Sequence, residues 1–409
     1  ILDVWFESGT THSWVLRNSQ KWPDMQFPAG MYLEGSDQHR GWFHSSLLES
    51  CGTRGHAPYK AVITHGFTLD DKGYKMSKSA GNVVAPQDII KDLGADILRL
   101  WAVMSDYSDD VRIGPDVLKN TSDIYRRFRN TLRFLLGALA DFTPADQLGP
   151  EEYSEMPALE RYMLSRLAAT EEKLKSAMVK HDYGAMVMIL HHFCNAELSS
   201  LYFDIRKDRL YCDQPGTLER RATRTVIAHL FDCLVTWLAP VLAFTAEEAW
   251  SYRPQGLGDG MDSVHLRDYP TLPASWHDQA LEDKWEHVLK VRRVVLGALE
   301  PKRKDKTIGS SLEAAPLVFV ADSYLPHLKD IDLADVCIIS DIEVAIGAGA
   351  DDAFRIENVP GVAVVFRHSE GEKCVRCWKV LPEVGQEGEA VCNRCAEAAE
   401  WYFKNRKAA

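Results

Sequence analysis

No apolar run in the 409 residues approaches the roughly 18–20 needed to cross a bilayer, which excludes an ordinary membrane-spanning helix. The opening residues Ile1-Leu2-Asp3-Val4-Trp5-Phe6 have neither the basic region nor the apolar core of a secretory signal, so a cytoplasmic location is expected. An excess of positive charge is missing too: 47 Lys plus Arg face 59 Asp plus Glu, for a net charge of -12. Histone-like binding through bulk charge is thereby excluded, and a nucleic acid would have to be held by local basic patches. Internal repeats and long low-complexity tracts are absent. With 46% hydrophobic, 26% charged and 10% aromatic residues, the composition excludes disorder, collagen and coiled coil. An initiator Met is also lacking, and Ile1 to Phe6 reads as a strand, so the chain is expected to begin in mid-domain as a fragment of a longer polypeptide.

The length calls for several domains, and changes of pattern place them at 1–115, 116–255, 256–370 and 371–409. Residues 1–115 mix short β-like runs with Gly-rich turns, as in Met31-Tyr32-Leu33 running into Glu34-Gly35-Ser36-Asp37 and Ala61 to Thr64 running into His65-Gly66. This is an α/β pattern, with polar residues gathered at strand ends where ligands bind. Helices are expected after Pro86 and over Asp96 to Trp101. From 116 to 252, apolar residues such as Ile124, Phe128, Leu132, Leu135 and Leu139 recur at three- and four-residue steps, the pattern of a helical bundle. After the loop Gly256 to Gly260, one more helix through Leu281 to Leu299 precedes β-like runs at Pro316–Val320, Val336–Ile339 and Val362–Phe366, a small α+β unit. The last segment begins at Gly371 and ends in a short basic tail, Lys404 to Lys407.

Two motifs carry chemistry. Cys374-Val-Arg-Cys377 and Cys392-Asn-Arg-Cys395 are paired thiols two residues apart, each pair able to bite one metal from a tight turn, and together they complete the tetrahedron zinc prefers. With every position filled by protein, one structural zinc is expected. The scattered Cys51, Cys194, Cys212, Cys233 and Cys337 do not make a disulfide framework. Arg376 and Arg394 inside the turns would surround the knuckle with positive charge and suit it to RNA. The second motif is Lys75-Met76-Ser77-Lys78-Ser79-Ala80-Gly81-Asn82, preceded by Asp70-Asp71-Lys72-Gly73. Two lysines three apart in a loop of small residues could fold over a polyphosphate.

The Lys75 to Ser79 pentapeptide resembles the signature loop of class I aminoacyl-tRNA synthetases. With Asp3-Val4-Trp5-Phe6-Glu7-Ser8-Gly9, Glu34-Gly35-Ser36-Asp37-Gln38-His39-Arg40-Gly41-Trp42-Phe43, Thr64-His65-Gly66-Phe67, Gly94 to Arg99 and the paired Cys-x-x-Cys, it follows the order of the bacterial-type isoleucyl-tRNA synthetases along essentially the whole chain. Glu7 stands where that family more often has Asp. The family's His-Ile-Gly-His motif and inserted editing domain are missing. The resemblance implies the C-terminal half of a Rossmann-like catalytic domain, a helical-bundle anticodon-binding domain, a small α+β junction and a four-Cys zinc knuckle.

It also implies roles. Glu34 would face the ammonium group of an aminoacyl adenylate, Gly35 would let backbone approach it, Asp37 and Gln38 would add polar contacts, and Trp5 and Trp42 would wall an aliphatic pocket. Lys78 would contact ATP, with Lys75 assisting. The implied cofactors are one structural zinc, and ATP with magnesium as substrate of the full-length enzyme. The implied partners are tRNA(Ile), isoleucine and ATP; no membrane is implied, and the state is monomeric. The fragment alone is expected to bind tRNA and zinc without catalysing. Arg126, Arg127, Arg129 and Arg133 on one helix, Arg220, Arg221 and Arg224, and Lys302 to Lys306 are the candidate tRNA patches. Open alternatives are a non-catalytic zinc-containing RNA-binding module, a valyl or leucyl enzyme, and a zinc domain like that of certain DNA-repair glycosylases. Trp5 and Trp42 also read as ordinary core aromatics, and Glu34 as a salt-bridged strand end.

Overall fold

The computed structural model describes residues 2–18, 20–386 and 390–406. They form two compact units, Ile1–Arg126 with Tyr183–Val187, and Arg127–Asp182 with Met188–Ala409.

The chain starts with a helix, which corrects the strand expected over Ile1 to Phe6; Ile1 itself lies outside the described residues. The Asp3 carboxylate accepts the Trp5 N–H at 2.8 Å and caps α1 (Val4–Gly9). Satisfying a free donor at the helix start outweighs the β-favouring side chains that follow. After α2 (Thr11–Trp14), β1 (Tyr32–Gly35), α3 (Trp42–Arg54) and β2 (Val62–His65) make a βαβ unit. The two strands are parallel with Gly35 opposite His65, and α3 supplies the crossover that a parallel pair requires. A second parallel pair joins β3 (Thr68–Leu69) to β4 (Val111–Arg112). Between them lie α4 (Pro86–Leu93), with Pro86 in its first turn, and α5 (Ala95–Met104). Ile89, Ile97, Trp101, Ile113 and Leu118 close a core there, against which Met76 and Val84 pack.

The next elements are helical: α6 (Pro115–Ala138), α7 (Ala158–Val179), α8 (Tyr183–His192), a π-helical stretch Phe193–Tyr202, α9 (Phe203–Cys212), α10 (Leu218–Leu238) and α11 (Ala243–Ser251). Phe128, Leu132, Leu135 and Leu139, at helical spacing, are fully buried. The bundle also buries charge. Arg206 on α9 donates to both Glu160 oxygens at 2.6 Å and to Asp335 at 2.7 Å. Arg166 on α7 holds Glu197 at 2.8 and 2.9 Å and Glu282 at 2.9 Å. Such groups tolerate burial because each has a bidentate or doubled partner.

Asp278 caps α12 (Gln279–Lys304) by accepting the Leu281 N–H at 2.9 Å, and Leu281, Trp285, Val288, Val291, Val295 and Leu299 form its buried stripe. A three-stranded sheet follows in the order β6-β5-β7, from β5 (Leu317–Val320), β6 (Glu343–Ile346) and β7 (Val362–Val365), with the short α13 (Leu325–Leu328) between β5 and β6. The run Val336 to Ile339 is not a strand. Asp332 accepts the Asp335 N–H at 2.9 Å and starts α14 (Leu333–Cys337), which ends with Ile338 in the left-handed region. An Asp cap again beats β-branched composition. β8 (Glu372–Lys373) and β9 (Val380–Leu381) pair antiparallel, and α15 (Asn393–Arg406) ends the described chain. The expected basic tail is therefore helical through Lys404, which pairs with Glu400 at 3.3 Å; Lys407 lies outside the described residues. Among the described residues, no helix is long and apolar enough to cross a membrane.

Candidate active site and metal centre

The carboxyl end of β1 delivers Glu34 and Gly35 together, and the turn of 3-10 helix Ser36–Arg40 presents Asp37 and Gln38 directly after them. Glu34 and Asp37 are exposed, and neither forms an ion pair among the described residues. A Cβ on Gly35 would sit 2.6 Å from Asp37 Oδ1, so only glycine lets that carboxylate fold back over the strand end. Gln38 Oε1 accepts the Trp42 N–H at 3.0 Å and covers Gly41, where a Cβ would lie 2.6 Å from it and 3.6 Å from the Trp5 ring. Trp5, Gln38 and Trp42 thus converge on Gly41.

The two tryptophans differ. Trp42 is half-buried, stacked on Tyr32 at 4.2 Å between centroids, and its indole N–H donates to the Ser8 carbonyl at 3.0 Å. Trp5 is 45% exposed.

Lys75 and Lys78 lie on the loop between β3 and α4, both exposed, and their side chains form no hydrogen bond or ion pair among the described residues. No hydrogen bond or ion pair joins them to Glu34, Asp37 or Gln38. The loop beneath them is tied down. Asp70 Oδ1 accepts the backbone N–H groups of Lys72 and Tyr74 at 3.1 and 2.7 Å, and Oδ2 accepts Asn82 Nδ2 at 2.8 Å. Asn82 in turn accepts the Ser77 N–H at 3.0 Å and donates to the Lys75 carbonyl at 3.3 Å. These bonds hold the Asp70 carboxyl below the usual carboxylate range, the Asn82 bond first. Neither residue is marked out by the sequence pattern around the motif. An Asp ahead of Gly73 was the visible signal, but a partner twelve positions away is not a local pattern.

The four thiols of Cys374, Cys377, Cys392 and Cys395 are buried, at 0, 8, 2 and 0% exposure. Their sulfur atoms all lie within 4.8 Å of one another, with Cys377 Sγ 3.8 Å from Cys392 Sγ. Zn–S bonds of about 2.3 Å arranged tetrahedrally give S–S edges of about 3.8 Å, so the donor set fits zinc. Burial pushes the Cys374 thiol up, but the backbone N–H groups of Cys377, Cys392 and Arg376 outweigh it and hold the group down at about 6. Burial lifts Cys377 and Cys392 to about 11, a cost that a bound dication removes. With four protein ligands the site is structural.

The arginines of the knuckle are engaged by the chain itself. Arg376 donates to the carbonyls of Cys212 at 2.5 Å and Tyr211 at 3.0 Å, while Arg394 binds Asp208 at 2.7 Å and Asp213 at 3.1 Å. Both dock the knuckle onto α9, because buried carbonyls and carboxylates at that helix end need donors. The second expected patch is corrected as well. Arg224, 2% exposed, pairs with Asp141 at 2.6 Å; Arg220 donates to the Asp213 carbonyl and the Tyr402 hydroxyl; Arg221 reaches Glu152 at 3.4 Å. On α6, Arg126, Arg127, Arg129 and Arg133 are all exposed. Arg126 pairs with Asp123 at 2.9 Å and Arg127 with Asn195 at 2.5 Å.

Three regions match known families: residues 1–114 the family described as "tRNA synthetases class I (I, L, M and V)", residues 160–318 "Anticodon-binding domain of tRNA ligase", and residues 371–398 "Zinc finger found in FPG and IleRS". Proteins named isoleucine--tRNA ligase are similar along almost the whole chain. The one from Ruegeria pomeroyi is 52% identical over 97% of this chain and 40% of its own length. Those from Brucella abortus and Bradyrhizobium diazoefficiens are each 51% identical, over 95% and 98% of this chain and 39% and 41% of theirs. The chain thus spans about two fifths of the length of the curated relatives it matches. Among solved structures, a LeuRS–tRNA–LeuAMS ternary complex from Agrobacterium radiobacter aligns at 18% identity with a TM-score of 0.49, over 61% of this chain and 29% of that one.

Proposed function

We propose that this chain, which belongs with the class I aminoacyl-tRNA synthetases, is part of an isoleucine–tRNA ligase. In this reading the protein joins isoleucine to ATP as an adenylate, releases pyrophosphate, and passes the acyl group to the terminal ribose of its tRNA. The observation that carries it is the strand-end constellation on a chain matching isoleucine--tRNA ligases over 97% of its length. Glu34, exposed and without an ion pair, is available to the ammonium group of the amino acid, with Asp37 and Gln38 alongside. Gly35 leaves room for Asp37, and Trp5 and Trp42 flank the aliphatic side chain. Lys78, assisted by Lys75, meets the charge that builds on the phosphates as pyrophosphate leaves; magnesium accompanies ATP. Zinc, held by Cys374, Cys377, Cys392 and Cys395, supplies folding energy and no chemistry. tRNA is the macromolecular partner.

The test is isoleucine-dependent pyrophosphate exchange in the longest polypeptide that carries this chain, with valine and leucine as competitors. Isoleucine should be preferred, and Lys78→Ala should slow exchange by about 10²–10³, the loss of one preorganised charge-stabilising donor. An unchanged rate would overturn the role of Lys78, and a preference for another amino acid would overturn the substrate.

A further inference from the structure

We propose that Asp70 and Asn82 are positioning residues for the two lysines: their clasp fixes the backbone of the loop so that Lys75 and Lys78 are presented together to a polyphosphate. The inference rests on the function proposed above and adds two residues to it. Asp70 is 7% exposed in a loop whose other residues are mostly open to solvent. An ordinary turn would explain its bonds to Lys72 and Tyr74, since Asp commonly accepts backbone donors two residues on. It does not explain the 2.8 Å bond to Asn82, which comes from the far arm of the loop.

That bond is one member of a closed set. Asn82 grips the Lys75 carbonyl and the Ser77 N–H, the two backbone groups that bracket Met76. Met76 is itself held, its sulfur accepting the Val84 N–H at 3.4 Å while the side chain packs on the Ile89, Ile97 and Trp101 core. The backbone from 75 to 77 is therefore fixed from three sides, and the lysine side chains on either side of it stay in water. Rigid attachment with free charged ends places cations without neutralising them, which is what stabilising charge on a departing phosphate requires.

The geometry allows a reciprocal exchange. In Asp70→Asn with Asn82→Asp, Oδ1 of residue 70 still accepts from Lys72 and Tyr74, Oδ1 of residue 82 still accepts from Ser77, and the bond between the pair survives with its donor and acceptor reversed. The donation to the Lys75 carbonyl is lost, and a carboxylate oxygen comes to face that carbonyl, so the repair is partial. Asp70→Ala, Asn82→Ala and this double variant should be compared in the longest polypeptide carrying the chain, by pyrophosphate exchange and by amide hydrogen exchange at Tyr74 and Ser77. Either single variant should lower kcat/KM for ATP by about 10–100-fold, the cost of slight misplacement, with KM for isoleucine unchanged. Both should speed amide exchange at Ser77, and the double variant should recover part of each loss. A fold defect would raise KM for isoleucine as well, and the double variant would not repair it. The milder Asn82→Ala serves if Asp70→Ala does not fold. Unchanged ATP kinetics in Asn82→Ala, beside a slowed Lys78→Ala, would overturn the clasp alone; unchanged kinetics in Lys78→Ala would overturn the function it rests on.

Discussion

The loop of Lys75 and Lys78 and the turns of Arg376 and Arg394 look alike as sequence: cations set among small or sulfur-bearing residues. In the structure they have opposite fates. Both lysines are left in water above a backbone clasped by Asp70 and Asn82, while both arginines are spent on the carbonyls and carboxylates of α9. A cation that already has its partners is architecture. One whose backbone is fixed and whose charge is unmet is available to a ligand. The same division runs through the rest of the chain, with Glu34 and Asp37 open at a strand end and Glu160, Asp335 and Arg206 closed on one another inside the bundle.

If the knuckle is architecture, its metal should matter to folding more than anything else tested. Cys392→Ser, or removal of zinc by a chelator, should unfold residues 371–406, since metal binding in such modules supplies about 10–16 kcal/mol. Elemental analysis of untreated protein should give one zinc per chain. Proteolysis should then cut the terminal segment while the core around Phe128, Leu135 and Leu139 resists. Protein that lacks metal yet keeps a protected terminal segment would place the knuckle's stability in its arginine contacts instead.

A smaller effect should come from one half-buried histidine. His229 Nε2 and the Tyr153 hydroxyl share a hydrogen bond at 2.7 Å, the ring sits edge-on to Trp276, and burial pushes it down to about 4. The unfolded chain protonates it near the usual 6.5, so between about 6.5 and about 4 the unfolded state binds more protons. Stability is complete above that window and lost as pH falls through it, by up to about 3 kcal/mol for a shift of this size. Urea unfolding at pH 7 and pH 4.5 should show the loss, and His229→Gln should show less of it. Equal acid sensitivity in the variant would mean that the His229 ring is not what weakens the bundle in acid.

What could be read before the structure follows the same line. Helices with a buried stripe were legible because burial repeats with the helix: the spacing of Leu281 to Leu299 gave α12, and Pro86 marked the start of α4. The four thiols were legible because a metal imposes its own spacing. Ile1 to Phe6 and Val336 to Ile339 misled because Asp3 and Asp332 decide those segments by a single capping bond, which composition does not weigh. β6 was missed because, as an edge strand with three of its four residues exposed, it shows no alternation. Arg220, Arg224, Arg376 and Arg394 misled for a deeper reason. Whether a cation is free depends on partners such as Asp141, Asp208 and Tyr402, each tens of residues or more away in sequence.

That last point gives the smallest and most discriminating measurement. If tRNA contacts this chain through phosphates, only arginines without protein partners should register in the salt dependence of binding. Arg129 and Arg133 on α6 are exposed, and their side chains form no hydrogen bond or ion pair among the described residues. Replacing either by Ala should lower the slope of log K against log salt by about one unit, since each lost phosphate contact releases about one counterion fewer. Arg376→Ala should leave the slope unchanged, because its guanidinium is already occupied by the Tyr211 and Cys212 carbonyls. It should instead make the zinc easier to extract by loosening the knuckle from α9. With a net charge of -12 the chain has no long-range attraction to mask the difference. A slope that drops for Arg376→Ala and stays put for Arg129→Ala would reverse the assignment, making the knuckle the RNA contact and α6 the scaffold.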